Sequence, residues 1–222
     1  EKCFNELPFL HHVCKRCGAP ISENNDGICL NCKENNFDFS LARSVFAYDD
    51  QIVKVVHKYK YGGMRFFYEP LGDFLCDYFS TWDIAPDIVT AVPLYKAKEK
   101  SRGYNQSKLM AKLIAKKFSI PYYDLCVKVK NNVSQTELDL KKRKQNVKDV
   151  YEFDTKYRSI LKGKIILLID DVYTTGSTSS EMSRILKHAK AKEIYVLTLA
   201  HGLGDNKLEY DKDKKEKTLK NN

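Results

Sequence analysis

The chain has 222 residues and a formal net charge of +9, with 43% hydrophobic and 30% charged residues. This composition is typical of globular proteins and argues against a membrane-embedded or largely disordered chain. The longest apolar run, residues 165–169, is far shorter than the ~20 residues of a membrane-spanning helix. Residues 1–17 carry polar groups throughout, unlike a secretion signal. We therefore expect neither a membrane span nor secretion.

Three segments differ in composition, which predicts the organisation of the chain. Residues 1–37 are polar and rich in turn-forming residues, so we predict a small knuckle without a core of its own. Residues 38–206 alternate between strand and helix patterns and are predicted to form the main domain. Residues 207–222 carry many charges and few apolar side chains, which predicts a disordered tail.

Hydrophobic periodicity predicts the elements of the main domain. In chain order they are a strand over 41–48, helices over 51–60 and 65–79, a strand over 88–94, a helix over 107–118, strands over 122–129 and 164–172, a helix over 177–189 and a strand over 194–200. Residues 131–150 lack a clear period, which predicts a loop or a marginal helix. Strands separated by helices predict an α/β fold with a parallel sheet between helices.

Positive charge is concentrated in two stretches of the main domain. Residues 96–117 contain eight basic residues and one acidic residue, and residues 128–148 contain seven basic and two acidic residues. Such clusters indicate an anionic partner, which can be the phosphates of a small molecule, a nucleic acid or an anionic lipid. Solvated helix faces are the alternative explanation for any single lysine.

Four of the seven cysteines form two C-x-x-C pairs. They are Cys14, Cys17, Cys29 and Cys32. Two such pairs can close a tetrahedral Zn²⁺ site, and four thiolate ligands leave no open position, so the predicted zinc is structural. Reduced thiols or redox pairs are the alternatives, and His11, His12 or Cys3 can substitute for a ligand. An odd number of cysteines argues against a secreted disulfide framework.

The strongest chemical motif follows the most apolar predicted strand. Two acids, Asp170 and Asp171, are followed by a hydroxyl-rich turn and then by a helix. The turn contains Thr174, Thr175, Gly176, Ser177 and Thr178. Ligands of α/β sheets bind at the carboxyl ends of strands, and helix N-termini attract phosphate. Because carboxylates can bind a sugar diol or water on Mg²⁺, the motif predicts a ribose 5-phosphate site. A capped turn is the structural alternative.

This motif resembles the phosphoribosyl diphosphate motif of type I phosphoribosyltransferases. The resemblance implies that Asp170 and Asp171 hold the ribose hydroxyls and that residues 174–178 wrap the 5-phosphate. It also implies that Mg²⁺ sits on the diphosphate, and that the fold is the type I phosphoribosyltransferase sheet.

A basic segment follows the predicted strand over residues 88–94. Its candidate diphosphate-binding residues are Pro93, Leu94, Tyr95, Lys98 and Arg102. Lys98 and Arg102 can meet a diphosphate, arginine in a bidentate manner. From the residues alone, a solvated basic loop is the alternative. The pattern Val-Pro-Leu…Arg-Gly-Tyr-Asn-Gln over 92–106 resembles the signature of the ComF family, which are competence-associated phosphoribosyltransferase-like proteins. Tyr95 stands where the family usually has His.

Two further regions resemble the ComF family. The four-cysteine module matches its N-terminal zinc module, and residues 135–147 are similar to its Gln…Leu…Arg…Asn-Val pattern. In related enzymes the latter region is a flexible flap over the diphosphate. The resemblance thus implies Gln135 and Arg143 as flap residues, with an ordinary surface loop as the alternative.

The resemblance implies a protein that binds phosphoribosyl diphosphate with Mg²⁺ and takes part in DNA uptake during natural transformation. It implies a cytoplasmic location, peripheral at the inner membrane, with a competence helicase or inner-membrane DNA-uptake proteins as partners. Two molecular interpretations remain open. The protein is either a phosphoribosyltransferase with an unassigned acceptor or a non-catalytic module that binds phosphoribosyl groups or single-stranded DNA.

For the single-stranded DNA interpretation, the basic stretches supply the phosphate contacts. The candidate residues are Lys141, Lys142 and Lys144. Tyr95, Tyr104 and Tyr151 are the candidate aromatic side chains on which bases stack.

Overall fold

A parallel four-stranded sheet forms the centre of the computed structural model, which describes residues 7–22, 26–131 and 149–204. The described strands are β1 (Leu41–Ala47), β2 (Ile88–Ala91), β3 (Cys126–Lys128), β4 (Tyr151–Phe153), β5 (Ile165–Tyr173) and β6 (Glu193–His201). In the main sheet β1, β6, β5 and β2 lie side by side in that order, all parallel. β3 and β4 pair antiparallel in a second, two-stranded sheet.

Helices cover both faces of the main sheet. The described helices are α1 (Leu30–Glu34), α2 (Asp50–Tyr61), α3 (Tyr68–Phe79), α4 (Lys96–Arg102), α5 (Gln106–Lys117), α6 (Arg158–Leu161) and α7 (Ser177–His188). Side chains of a strand alternate between its two faces. Ile166 and Leu168 of β5 therefore pack in one core cluster with α7. Leu167 and Ile169 pack in the other cluster with α2, α3 and α5. This architecture confirms the predicted α/β fold.

Several elements depart from the predicted ones, and β4 and α6 were not predicted. The strand predicted over 88–94 ends at Ala91, since Pro93 has no N–H to donate to a sheet ladder. The helix predicted over 65–79 starts with a 3₁₀ turn and becomes α-helical at Tyr68. The strand predicted over 122–129 is limited to β3. Residues 96–102, treated as a basic loop in the sequence, form α4.

The N-terminal cysteine segment packs directly on the main sheet. The amide of Ala42 in β1 donates to the carbonyl of Arg16 at 2.8 Å, and the Arg43 guanidinium donates to the carbonyl of Cys14 at 3.1 Å. The four paired cysteines lie in the same buried cluster as Phe39 and Met182. The segment thus shares the core of the main domain, while the boundary predicted at residue 37 remains a prediction.

Several predicted features lie outside the described residues. They are the flap residues Gln135 and Arg143, the DNA-contact candidates Lys141, Lys142 and Lys144, and the tail over 207–222. Within the described part of the chain, no helix combines the length and the hydropathy that crossing a membrane requires.

Candidate functional site

The acidic pair lies at the carboxyl end of β5, where two helices converge on Asp171. Both carboxylate oxygens of Asp171 accept hydrogen bonds. Nζ of Lys60, in the last turn of α2, donates to Oδ1 at 2.7 Å. Nε2 of Gln106, the first residue of α5, donates to Oδ2. The Asp171 side chain is only 7% exposed, so it is held by the protein before any ligand arrives.

Lys60 is a site residue that the sequence analysis missed. Burial alone would lower the pKa of Lys60, but the negative charges of Asp171 and Asp170 outweigh it and raise the pKa above the usual value. Lys60 is therefore a charged counter-ion built into the site. One signal was available in the sequence. Lys60 continues, at four-residue spacing, the buried stripe formed by Ile52 and Val56, where a lysine requires a partner.

Asp170, the other acid of the pair, is half-buried. Its Oδ1 accepts hydrogen bonds from the Ser107 hydroxyl at 3.1 Å and from the amide of Asp171 at 2.8 Å. Burial, together with the adjacent charge of Asp171, raises the pKa of Asp170 to about 7. Asp170 thus exchanges its proton near neutral pH, within reach of a ligand at the strand end.

The Tyr-Asn-Gln segment before α5 is positioned by hydrogen bonds on both sides. Asn105 caps α5 with its side-chain oxygen and donates from Nδ2 to the carbonyl of Val92 at 3.0 Å. The Tyr59 hydroxyl donates to the carbonyl of Gln106 at 3.0 Å. The Tyr104 hydroxyl donates to the carbonyl of Tyr59. These bonds fix the first turn of α5 against α2 and orient Gln106 towards the acidic pair.

Basic side chains approach the acidic pair from the segment after β2. The Arg102 guanidinium donates to Oε1 of Gln106, so it is linked through one amide to Asp171. Lys128 of β3 was not predicted. Burial and the nearby positive charge of Lys98 lower the pKa of Lys128. Neither lysine forms a salt bridge with a carboxylate in the described part of the chain. Lys128 is thus a cation near Asp170 that an anionic ligand can neutralise, and Lys98 lies close to Lys128.

The hydroxyl-rich turn joins the end of β5 to α7. Gly176 has a left-handed φ of 78°, and a Cβ at this position would lie 2.2 Å from the Tyr173 hydroxyl oxygen, so no larger residue fits. The hydroxyl oxygens of Thr175 and Ser177 are hydrogen-bonded at 2.8 Å. The turn therefore presents hydroxyl groups beside a helix N-terminus, as a phosphate requires.

The structure corrects two of the three aromatic candidates for base stacking. Tyr104 is 7% exposed and stacks on Tyr59 with ring centroids 5.6 Å apart. Tyr151 is 6% exposed, and its hydroxyl is hydrogen-bonded with Thr178 of the turn. Neither ring can receive a base from solution, because both complete the packing behind the site. Tyr95 is partly exposed, as are Pro93 and Leu94 beside it.

The two C-x-x-C pairs converge into one buried cluster. The Sγ atoms of Cys14, Cys17, Cys29 and Cys32 all lie within 4.8 Å of one another. Sulfurs bound to one tetrahedral zinc at about 2.3 Å have comparable mutual distances, so this donor set fits Zn²⁺. His11 and His12 are exposed and stand outside the cluster. Cys3 lies outside the described residues.

Comparison with known proteins adds family information to this geometry. The model of the phosphoribosyl transferase domain family matches residues 105–222. Competence protein ComFC of Bacillus subtilis (strain 168) is 31% identical over 199 residues, which cover 85% of this chain and 77% of that protein. DNA utilization protein YhgH of Salmonella typhimurium (strain LT2) is 25% identical over 197 residues, which cover 86% of this chain and 85% of that protein.

Among solved structures, the glutamine phosphoribosylpyrophosphate amidotransferase of B. subtilis, complexed with ADP and GMP, aligns with a TM-score of 0.40 and 25% identity. The alignment covers 59% of this chain and 25% of that one. The domain match and the identity to ComFC together decide the family, as the sequence motifs predicted. The chain belongs to the ComF family of competence-related proteins with a phosphoribosyltransferase domain.

Proposed function

We propose that the protein binds phosphoribosyl diphosphate with Mg²⁺ at the carboxyl end of β5. The observation that carries this proposal is the juxtaposition of two carboxylates with a hydroxyl-rich turn at a helix N-terminus. In this assignment Asp170 and Asp171 accept hydrogen bonds from the ribose hydroxyls. Residues 174–178 hold the 5-phosphate, whose negative charge the N-terminus of α7 favours.

The diphosphate is assigned to the basic side chains beside the acids. Lys128 is a cation near Asp170 and close to Lys98, and Arg102 reaches the same region through Gln106. Mg²⁺ prefers oxygen ligands and commonly binds together with substrate phosphates, so it fits a site with two carboxylates and a diphosphate. When bound, it would neutralise charge on the diphosphate leaving group.

Both molecular interpretations use this site. In a phosphoribosyltransferase, the bond between ribose C1 and the diphosphate breaks, Lys98 and Arg102 stabilise the departing charge, and an acceptor attacks C1. In a binding module, the same contacts hold the ligand without reaction. Release of diphosphate after addition of nucleobases or amines distinguishes the two. A cytoplasmic location and contacts with DNA-uptake proteins at the inner membrane belong to the same proposal.

Asp170→Asn is expected to weaken binding of Mg²⁺–phosphoribosyl diphosphate at least tenfold, since an amide is a weaker acceptor for ribose hydroxyls than a carboxylate. The pKa of Asp170 near 7 adds a pH dependence. Hydroxyl donors favour the ionised form, so affinity should fall as the pH drops through about 7, with a proton released on binding. Isothermal titration calorimetry in buffers of different ionisation enthalpy measures both quantities.

The matched control is Asp124→Asn. Asp124 is an exposed carboxylate paired with Lys108. Its variant should bind the ligand as the wild type does. Asp171 is unsuitable for this test, since its removal leaves Lys60 without its partner. Unchanged affinity of Asp170→Asn, or a flat pH dependence between about pH 6 and 8, would contradict the assignment.

Binding of single-stranded DNA is the second proposed function. The segregation of positive charge supports it, as does the similarity to a protein named for DNA utilization. Replacing Lys141, Lys142 and Lys144 by Glu should abolish DNA binding and leave the small-ligand site nearly intact. Four or five phosphate contacts predict a log–log salt slope near −3, at roughly −0.7 per contact. Fluorescence anisotropy at several salt concentrations tests this, and an unchanged affinity would show that these lysines do not contact DNA.

A further inference from the structure

Exposed aromatic and apolar side chains cluster at the end of α2 and in the turn after it. Tyr61 is 59% exposed and Phe66 is 63% exposed. His57, one helical turn before Tyr61, is also exposed, and its ring centroid lies 4.9 Å from that of Tyr61. We call His57, Tyr61 and Phe66 the aromatic stripe. Large exposed rings are costly to leave in water and mark a contact surface.

Positive charge flanks the aromatic stripe. Lys54, Lys58 and Arg65 are all exposed. None of them forms a salt bridge with a carboxylate in the parts of the chain that the structure describes. The acidic residue of α2, Asp50, lies in its first turn, about 16 Å from Tyr61 at 1.5 Å per residue. The surface around Tyr61 is therefore both aromatic and basic.

The aromatic stripe adjoins the phosphoribosyl site. Lys60 precedes Tyr61 in the chain and binds Asp171. The Arg102 guanidinium, which donates to Gln106, lies 5.0 Å from the centroid of the Tyr61 ring. An extended ligand that lies along the stripe would thus pass the mouth of the site at the end of β5.

We propose that the aromatic stripe is a stacking surface for single-stranded nucleic acid. Bases stack on Tyr61 and Phe66, and Lys54, Lys58 and Arg65 contact the phosphates between them. This proposal rests on the proposed DNA binding and assigns it a surface, in place of the buried Tyr104 and Tyr151.

The composition of the surface favours a nucleic acid over a protein partner. Protein interfaces bury a contiguous apolar core that is depleted in lysine. Here exposed rings and exposed cations share one helix and the turn after it, so the surface offers both stacking and phosphate contacts. Stacking on aromatic side chains combined with basic contacts is the usual way in which single strands are bound without sequence preference.

The decisive comparison is between two double variants of the full chain. Tyr61→Leu with Phe66→Leu keeps apolar surface but removes the rings, and should weaken binding of a labelled oligothymidylate of about 30 nucleotides at least tenfold. The log–log salt slope should stay unchanged, because the phosphate contacts remain. Tyr61→Phe with Phe66→Tyr keeps the rings and should retain wild-type affinity. Leu30→Ala removes an apolar side chain that is 70% exposed on another surface and should have no effect.

A second measurement reports stacking directly. The fluorescence of oligonucleotides that contain 2-aminopurine should fall when they bind the wild type or the variant Tyr61→Phe with Phe66→Tyr. It should not fall when they bind the variant Tyr61→Leu with Phe66→Leu. If the variant Tyr61→Leu with Phe66→Leu binds the oligonucleotide and quenches its fluorescence as the wild type does, the proposed stacking surface is wrong, although DNA binding itself would stand. A wild type that does not bind the strand at about 50 mM salt would overturn both proposals.

Discussion

Cys29→Ser is expected to eliminate zinc from the protein and to cause the largest loss of stability of any single substitution considered. A hydroxyl does not replace a thiolate on zinc, and structural zinc sites contribute about 10–16 kcal/mol of apparent binding free energy in small domains. The four sulfurs lie in the core beside Phe39 and Tyr173, so the disruption extends beyond the knuckle. Elemental analysis should find about one zinc per wild-type chain and almost none in the variant, whose melting temperature falls.

The control for this prediction is Cys76→Ala. Cys76 is buried in the other core cluster, away from the four paired cysteines. Its variant should be destabilised by a lost side chain yet retain its zinc. A metal-free wild-type preparation that melts at the same temperature as the zinc-loaded protein would contradict a structural role for the cluster.

Metal removal is also expected to weaken ligand binding, through the packing between the cluster and the hydroxyl-rich turn. Phe37 stacks on Phe39 with centroids 5.0 Å apart, and Phe39 meets the edge of Tyr173 at 6.1 Å. A Cβ on Gly176 would touch both Phe37 and Tyr173, which shows how closely the turn lies on these rings. Loss of zinc should therefore loosen the hydroxyl-rich turn before the sheet unfolds, and calorimetry on the metal-free protein measures the effect on ligand binding.

Lys60→Met is expected to destabilise the protein by about 3 kcal/mol, because it leaves the Asp171 carboxylate buried without its cation. Asp171→Asn should have a similar effect through the unpaired ammonium group. The double variant should lose much less stability than the two single variants added together, because it buries no unpaired charge. Urea denaturation of the wild type, both single variants and the double variant gives the coupling free energy.

An exposed ion pair supplies the control for the Lys60 prediction. Lys108 and Asp124 are 2.6 Å apart, but their side chains are 31% and 49% exposed. Breaking this pair should cost less than about 1 kcal/mol, as solvent screens exposed charges. If the changes at Lys60 and Asp171 are additive within about 0.5 kcal/mol, the two residues do not act as a buried pair.

The parts of the fold that could be predicted are those with an apolar period. β5 was recognisable from its continuous aliphatic run, and α5 and α7 from one apolar stripe each. α4 was not predictable, because it has no buried residue and hence no period to detect. It ends instead at Gly103, whose left-handed φ of 83° terminates the helix.

Only those parts of the candidate site whose residues are neighbours along the chain could be predicted. Asp170 and the hydroxyl-rich turn follow one another along the chain, so their joint chemistry could be inferred before their geometry was known. Lys60 contacts Asp171 across more than a hundred residues, and Lys128 approaches from a strand of three residues. Such contacts depend on how helices and strands pack. The spacing of Lys60 from Ile52 and Val56 marks it as a lysine that needs a partner, but no local pattern identifies Asp171 as that partner.

The position of β6 in the sheet has a consequence for biosynthesis. β6 lies between β1 and β5, and Leu41 pairs with Tyr195. Among the strands that the structure describes, the first in the chain therefore pairs in the main sheet only after the last has been synthesised. Until then the nascent chain exposes two unpaired strand edges, which are prone to intermolecular pairing. A chain that stops before residue 193 would still carry every cysteine and every acid of the site, but β1 would have no neighbour in the main sheet as described. Synthesis of β6 is therefore required before β1 can join the main sheet.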